Sequence, residues 1–259
     1  MRVHSNSERR ALSTTVDSAV IKHFSKIYKD WWNPEGGLKL LHSMNSVRTP
    51  FIRDRFTIGQ IVENEIYPLQ NETILEVGCG GGILTEELAK LGANVTGIDA
   101  SAELIQVAQE HKNENRMLAD NKPTYYNTTI EEHANIYENY YDCIVSSEVL
   151  EHVNNPELFV KSCVQGLKPG GKILFTTPNR TRWVQFLLIF ICEDVLKAIP
   201  KGTHLYEKFL TPKVLTWMLE KNNCVVDHIS GFLCNPLKGT WKTSNSLRMV
   251  FALQATKIK

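Results

Sequence analysis

The chain reads as a doubly wound, seven-stranded, mostly parallel α/β sheet preceded by a helical extension, and three observations carry that prediction. Apolar, β-branched runs alternate with stretches of helical period along most of the 259 residues. The run Thr73-Ile74-Leu75-Glu76-Val77-Gly78-Cys79-Gly80-Gly81-Gly82 has the form of a buried strand followed by a glycine turn. A helix from Ile83 to Lys90 and a second strand, Val95-Thr96-Gly97-Ile98-Asp99, complete the unit and end it on an acid.

The elements follow in order. Val20, Phe24, Ile27 and Trp31 recur at three- and four-residue spacings and predict a helix over 16–32, broken by Pro34-Glu35-Gly36-Gly37. A second helix is expected from Thr49 to Tyr67, stopped by Pro68. Ser101 caps a helix to about His111, Thr124 to Thr128 is the third strand and Tyr141 to Ser146 the fourth. Pro156 opens a helix that Gly170-Gly171 ends, and Lys172 to Thr177 gives the fifth strand. Pro212 opens a further helix to about Lys221; Cys224 to Ile229 and Met249 to Ala255 finish the sheet as an antiparallel pair. No internal repeat is visible, so a single domain is expected over 16–259: a helical cap (16–70), a core (71–180), an apolar insert (181–204) and the rest of the sheet (205–259). Ligands of such sheets bind at the carboxyl ends of the strands.

Glycine spacing selects the ligand. A dinucleotide fingerprint needs G-x-G-x-x-G, but the glycines here fall at Gly78, Gly80, Gly81 and Gly82, with Ile83 in the last position. Asp99 can take both hydroxyls of a ribose on its two oxygens, so the unit reads as a nucleoside site.

Composition narrows the partners. Lysine plus arginine (29) nearly balance aspartate plus glutamate (28), and no clustered basic stripe invites nucleic acid. The six cysteines are scattered with no C-x-x-C pair, which disfavours a disulfide framework or zinc finger and implies a reducing compartment; Cys79 reads as a packing residue. No stretch reaches the roughly 18 uncharged apolar residues of a membrane span. Residues 1–15 set Arg2, Arg9 and Arg10 against Glu8, a composition shared by presequence remnants and disordered tails. The apolar run from Trp183 to Cys192, with Arg180 and Arg182 before it and Lys197 and Lys201 after it, suits either an anionic membrane interface or a buried lid.

Where the fourth strand meets the crevice the chain reads Ser146-Ser147-Glu148-Val149-Leu150-Glu151-His152-Val153. In a helical turn Glu148, Glu151 and His152 share one face, so two carboxylates and an imidazole converge, a donor set that suits Mg²⁺, Mn²⁺ or Zn²⁺. A cation there lowers the pKa of a phenol and fixes its oxygen.

The E-V-G-C-G-G-G form resembles the first motif of class I S-adenosylmethionine-dependent methyltransferases. The segments Trp31-Trp32-Asn33-Pro34-Glu35-Gly36, Leu41-His42-Ser43-Met44-Asn45, Arg48-Thr49-Pro50-Phe51-Ile52, S-E-V-L-E-H-V and Pro200-Lys201-Gly202-Thr203-His204 together resemble the ubiquinone-biosynthesis O-methyltransferases. The resemblance runs from about residue 20 to the end. It implies a Rossmann-like methyltransferase fold, S-adenosylmethionine as methyl donor, and O-methylation of polyprenylated catechols at two steps of ubiquinone synthesis. It places Arg48, Gly78, Asp99 and Ser147 on cofactor-contacting positions and Glu148, Glu151 and His152 on metal positions, Mg²⁺ first among the candidates. Glu148 and His152 are the candidate catalytic residues, with the base left open between His152 and a cation-bound hydroxide.

Bacterial relatives often carry Met at the position of Ser147, a change that a backbone contact survives better than a side-chain contact. Arg48 has its own rationale as a bidentate grip on the cofactor's carboxylate, and Trp31 and Trp32 read as a lid over the substrate or an aromatic staple. The fuller L-H-S-M-N and P-F-I-R-D forms look more like the mitochondrial enzymes and favour a presequence. The resemblance further implies a peripheral place on the matrix side of the inner membrane and association with other ubiquinone-biosynthesis proteins; the apolar run flanked by cations, with a polyprenylated substrate in the bilayer, predicts attachment through residues 182–199. Rival readings are a non-catalytic cofactor-binding scaffold, against which the intact Gly78, Asp99, Glu148, Glu151 and His152 argue, and a methyltransferase for another small phenol. A nucleic-acid or protein methyltransferase is disfavoured, since no asparagine-proline-proline-aromatic motif follows the fourth strand.

Overall fold

Sheet assembly centres on β1 (Thr73–Val77), whose Ile74, Leu75 and Val77 are buried. The computed structural model describes residues 14–17, 21, 30–59, 61–62, 64–118, 121–181, 184, 208–235 and 238–259. Most of the expected 16–32 helix, residues 1–13, nearly all of the 182–199 insert and the Pro200–His204 segment lie outside the described residues.

On one side β1 pairs in parallel with β2 (Asn94–Asp99), which pairs with β3 (Thr124–Asn127); on the other it pairs with β4 (Tyr141–Ser147), followed by β5 (Leu167–Pro178). β6 (Cys224–Asn235), β7 (Thr240–Ser244) and β8 (Val250–Lys257) complete an eight-stranded sheet in the order β3-β2-β1-β4-β5-β8-β6-β7, with β8 antiparallel to both β5 and β6. The chain leaves β1 in one direction and returns to β4 on its other flank. That reversal opens a crevice at the strands' carboxyl ends.

Helices cover both faces. α1 (Lys39–Thr57) and α2 (Ile83–Lys90) bring Met44, Phe51, Ile52 and Leu88 onto Ile74, Cys143, Val145 and Leu174. α4 (Ile130–Ile136), α5 (Pro156–Gly166) and α6 (Pro212–Lys221) bring Ile130, Phe159 and Leu215 onto Leu75, Val77, Ile144, Ile173 and Phe175. Consecutive strand residues therefore serve opposite faces, as the pleat requires. α3 (Ala102–Glu114) starts at Ser101, whose hydroxyl accepts from Leu104 N–H; Thr129, Asn155 and Thr211 do the same for α4, α5 and α6.

Several boundaries differ from the sequence reading. α1 begins ten residues before the expected Thr49, because Pro50, which resembles a helix start, sits inside it. It ends at Thr57, not Tyr67, where Lys172 Nζ donates to the carbonyls of Arg55 (3.1 Å) and Phe56 (2.6 Å) and so caps it with a cation. α5 stops at Gly166, and Gly170-Gly171 lie within β5, where Gly170 takes φ +78. Among the described residues the strands number eight, because the largely exposed Thr240–Ser244 run forms a hairpin with a lengthened β6. α4 has only seven residues, too few for helical periodicity to stand out. Among the described residues, no helix is long and apolar enough to cross a membrane.

Candidate active site

The glycine loop is clipped onto β2 by its own backbone. Gly78 and Cys79 N–H donate to Ile98 O at 2.8 and 3.0 Å, and Gly80 N–H donates to Asp99 Oδ2 at 2.9 Å. Ser101 N–H donates to Asp99 Oδ1 at 2.8 Å. Burial pushes the Asp99 carboxyl up and these N–H donors pull it back. Each oxygen keeps lone-pair capacity for a ribose hydroxyl. Gly78 has φ +77, and a Cβ there would stand 2.4 Å from Val149 Cγ2, so the turn needs glycine for conformation and space alike.

Trp31 is 5% exposed, and its ring occupies the space that a Cβ on Gly80 or Gly81 would claim. Trp32 donates from Nε1 to Gly81 O at 2.9 Å and stacks on His111 with centroids 3.4 Å apart. The two tryptophans are thus packed against the glycine loop, the staple of the two sequence alternatives. Burial also raises the Cys79 thiol well above its usual range, consistent with a packing role.

A cavity of about 310 Å³ opens beside the loop, and Arg48, Gly78, Asp99, Ser147, Glu148 and His152 line it. α1 delivers Arg48, 2% exposed, across the end of β4. Its Nη1 donates to Ser147 Oγ at 2.9 Å, and Nε and Nη2 donate to Asn45 Oδ1 at 3.0 and 2.5 Å. The Nε/Nη2 fork is therefore taken by Asn45, and one N–H on each of Nη1 and Nη2 remains for an anion. Burial lowers its pKa while Glu76, Glu148 and Glu87 favour the charge. The Ser147 side chain is engaged within the protein, with Oγ 2.6 Å from Thr176 Oγ1, and Thr176 donates to Glu148 Oε1 at 2.9 Å.

The expected shared helical face for Glu148, Glu151 and His152 is not formed. Glu148 leaves β4 with φ +58, and only Leu150–His152 form a short 3-10 turn. Glu148 and His152 line the cavity, whereas the tight turn sends Glu151, 2% exposed, back toward β5, where Thr177 donates to its Oε2 at 2.9 Å. Glu151 Oε1 is buried without a hydrogen-bond partner, 3.9 Å from His152 Nε2. Burial, reinforced by Glu148, pushes the Glu151 carboxyl well above the usual range. Among the described residues, no three His, Cys, Asp or Glu side chains are gathered into a ready metal site. In donor chemistry the three fit a divalent cation: an unpartnered carboxylate oxygen beside an imidazole nitrogen, in the field of a second carboxylate, is a place that positive charge would satisfy.

Sequence reasoning missed Thr176 and Thr177. Their signal was present, since two hydroxyls at the carboxyl end of a strand otherwise reading Ile173-Leu174-Phe175 lie where a parallel sheet binds ligands. It also passed over Glu76, a buried cavity-lining acid on β1 that accepts from Thr85 Oγ1 and whose pKa burial raises to about 7.

The chain is similar to known proteins. Residues 53–229 match the family model described as a methyltransferase domain. The chain is 40% identical to the mitochondrial ubiquinone biosynthesis O-methyltransferase of Rattus norvegicus, over 100% of this chain and 75% of that protein. It is 38% identical to the ubiquinone biosynthesis O-methyltransferase of Bartonella tribocorum, over 94% of this chain and 97% of that one. The structure of magnesium protoporphyrin IX methyltransferase from Synechocystis with bound S-adenosylmethionine aligns with a TM-score of 0.54 at 16% identity, covering 90% of this chain and 97% of that one, a likeness of fold.

Proposed function

This chain belongs to the ubiquinone biosynthesis O-methyltransferase family, and from that premise we propose that it methylates catechol-type hydroxyls of polyprenylated intermediates at both O-methylation steps of ubiquinone synthesis. Its activity is S-adenosylmethionine-dependent O-methyl transfer in ubiquinone biosynthesis. One observation carries the finer reading: the nucleoside-binding elements, Asp99 and the glycine loop, share a single cavity with Arg48, Glu148 and His152.

The methyl group passes from the sulfonium to a catechol oxygen; the S–CH₃ bond breaks, an O–CH₃ bond forms, and the hydroxyl proton is lost. Asp99 orients the ribose, and the two remaining N–H groups of Arg48 face the cofactor's carboxylate. Rate comes from this positioning and from generating the phenolate, since a phenol with a pKa of about 10 is a weak nucleophile at neutral pH. A divalent cation, Mg²⁺ foremost, would be held by Glu148, Glu151 and His152 and would supply positive charge that lowers that pKa. If no cation is used, His152 takes the proton and Glu148 stabilises the resulting imidazolium.

The chain is mitochondrial, as the rat relative is named. We further propose peripheral contact with the matrix face of the inner membrane through residues 182–199 and association with other ubiquinone-biosynthesis proteins, because a polyprenylated substrate resides in the bilayer.

The test is transfer of a labelled methyl group from S-adenosylmethionine to a short-chain prenyl catechol, after chelation and again after adding Mg²⁺ or Zn²⁺. Loss to chelator with recovery on addition is the expected result. Activity indifferent to chelator would retain the transferase and remove the cation; no transfer under any condition would favour a non-catalytic scaffold.

A further inference from the structure

Glu148 is held twice by one residue of β5. Its N–H donates to the Thr176 carbonyl at 2.9 Å, which fixes the left-handed turn at φ +58, and Thr176 Oγ1 donates to its Oε1 at 2.9 Å. The same hydroxyl lies 2.6 Å from Ser147 Oγ, which accepts from Arg48 Nη1 at 2.9 Å. The direction of this chain is set by its ends. A guanidinium only donates and a carboxylate only accepts, so Ser147 must donate to Thr176 and Thr176 to Glu148. Arg48, Ser147 and Thr176 are all buried, so water does not compete for the links.

Thr176 also stands out chemically. It follows Ile173, Leu174 and Phe175, all essentially inaccessible, where a hydroxyl left without a hydrogen bond would be destabilising. Both of its hydrogen bonds lead into the site.

We propose that Thr176 is a positioning residue for methyl transfer, its hydroxyl joining the cofactor-side guanidinium of Arg48 to the substrate-side carboxylate of Glu148. The proposal rests on the reading of Arg48 as the cofactor grip and Glu148 as a participant in the reaction. It gives Ser147 and Thr176 one purpose, to fix the angle at which Glu148 meets substrate or cation while Arg48 is engaged.

Two substitutions separate hydroxyl from shape. Thr176→Val keeps both branches at Cβ and the backbone bond to Glu148 but deletes the donor; Thr176→Ser keeps the donor and deletes the methyl. The expected result is a kcat at least tenfold lower in T176V, with the Kd for S-adenosylmethionine within threefold of wild type and T176S within threefold in kcat. Full activity in T176V, or equal impairment of T176S and T176V, overturns the proposal. Ser147→Ala breaks the same link from β4 and carries the same expected loss in kcat, which keeps the test valid if T176V folds poorly. Glu148→Gln, assayed alongside, tells the failures apart: impaired E148Q with active T176V rejects only the positioning role, and fully active E148Q rejects the reading of Glu148 together with it.

Discussion

Substituting Gly78 by alanine tests whether the cofactor turn and the loop after β4 are built around each other. Gly78 adopts φ +77, a region that costs a residue with a Cβ about 1–2 kcal/mol. The new Cβ would stand 2.4 Å from Val149 Cγ2 and 3.2 Å from Cγ1, contacts that require Val149 to move and add about 1–3 kcal/mol of overpacking. G78A is therefore expected to lose about 2–5 kcal/mol in urea unfolding. Val149→Ala, at a half-buried site, costs about 1 kcal/mol alone. In G78A/V149A the clash disappears and the backbone strain stays, so the double variant should be more stable than additivity allows by about 1–3 kcal/mol. Additivity to within about 0.5 kcal/mol would show that the two loops are not in register as described.

Glu76 gives a pH signature. Its folded pKa of about 7 lies above the ordinary 4.5, so the folded chain holds more protons than the unfolded one between those values. The stabilisation linked to this proton is complete below pH 4.5 and is lost as pH rises through 7, on the order of 3 kcal/mol in all. Glu76→Gln should flatten this slope and make the ligand-free protein more stable than wild type at pH 8; parallel stability curves from pH 4.5 to 8 would refute it. For the membrane contact, glutamate at Phe186 and Phe190 should abolish flotation with anionic liposomes. Unchanged flotation would remove that contact.

The centre of the fold was legible because its signals are local and redundant. Ile74, Leu75 and Val77 mark a strand buried on both faces, the glycines mark the turn, and Asp99 lies at a fixed distance beyond; each agrees with the others. Ser101, Pro156 and Pro212 announced their helices by capping and first-turn chemistry, and those starts hold to within a residue. The site beyond Ser147 was legible in residues but not in shape. A left-handed Glu148 is rare for a side-chain-bearing residue, and what holds it is Thr176, 28 positions away on a neighbouring strand. No spacing rule within S-E-V-L-E-H-V contains that partner. Pro50 failed as a signal for a related reason: a helix packed along the sheet by Met44, Phe51, Ile52 and Phe56 tolerates a proline that an isolated helix would not.

The place of β8 bears on what constitutes a heritable unit in this protein. The recognised methyltransferase domain ends at residue 229, yet residues 250–257 are inserted between β5 and β6 and complete the ladder on both. At the other end, Trp31 and Arg48 precede residue 53 and still line the cavity, and Asn45 accepts the hydrogen bond from Arg48 Nε. Although the rat relative is similar over the whole chain, the span that the family model covers is thus smaller than the span that builds the sheet and lines the cavity. Shuffling or grafting at its borders would separate a sheet from its inner strand and a nucleoside loop from the tryptophan packed against it.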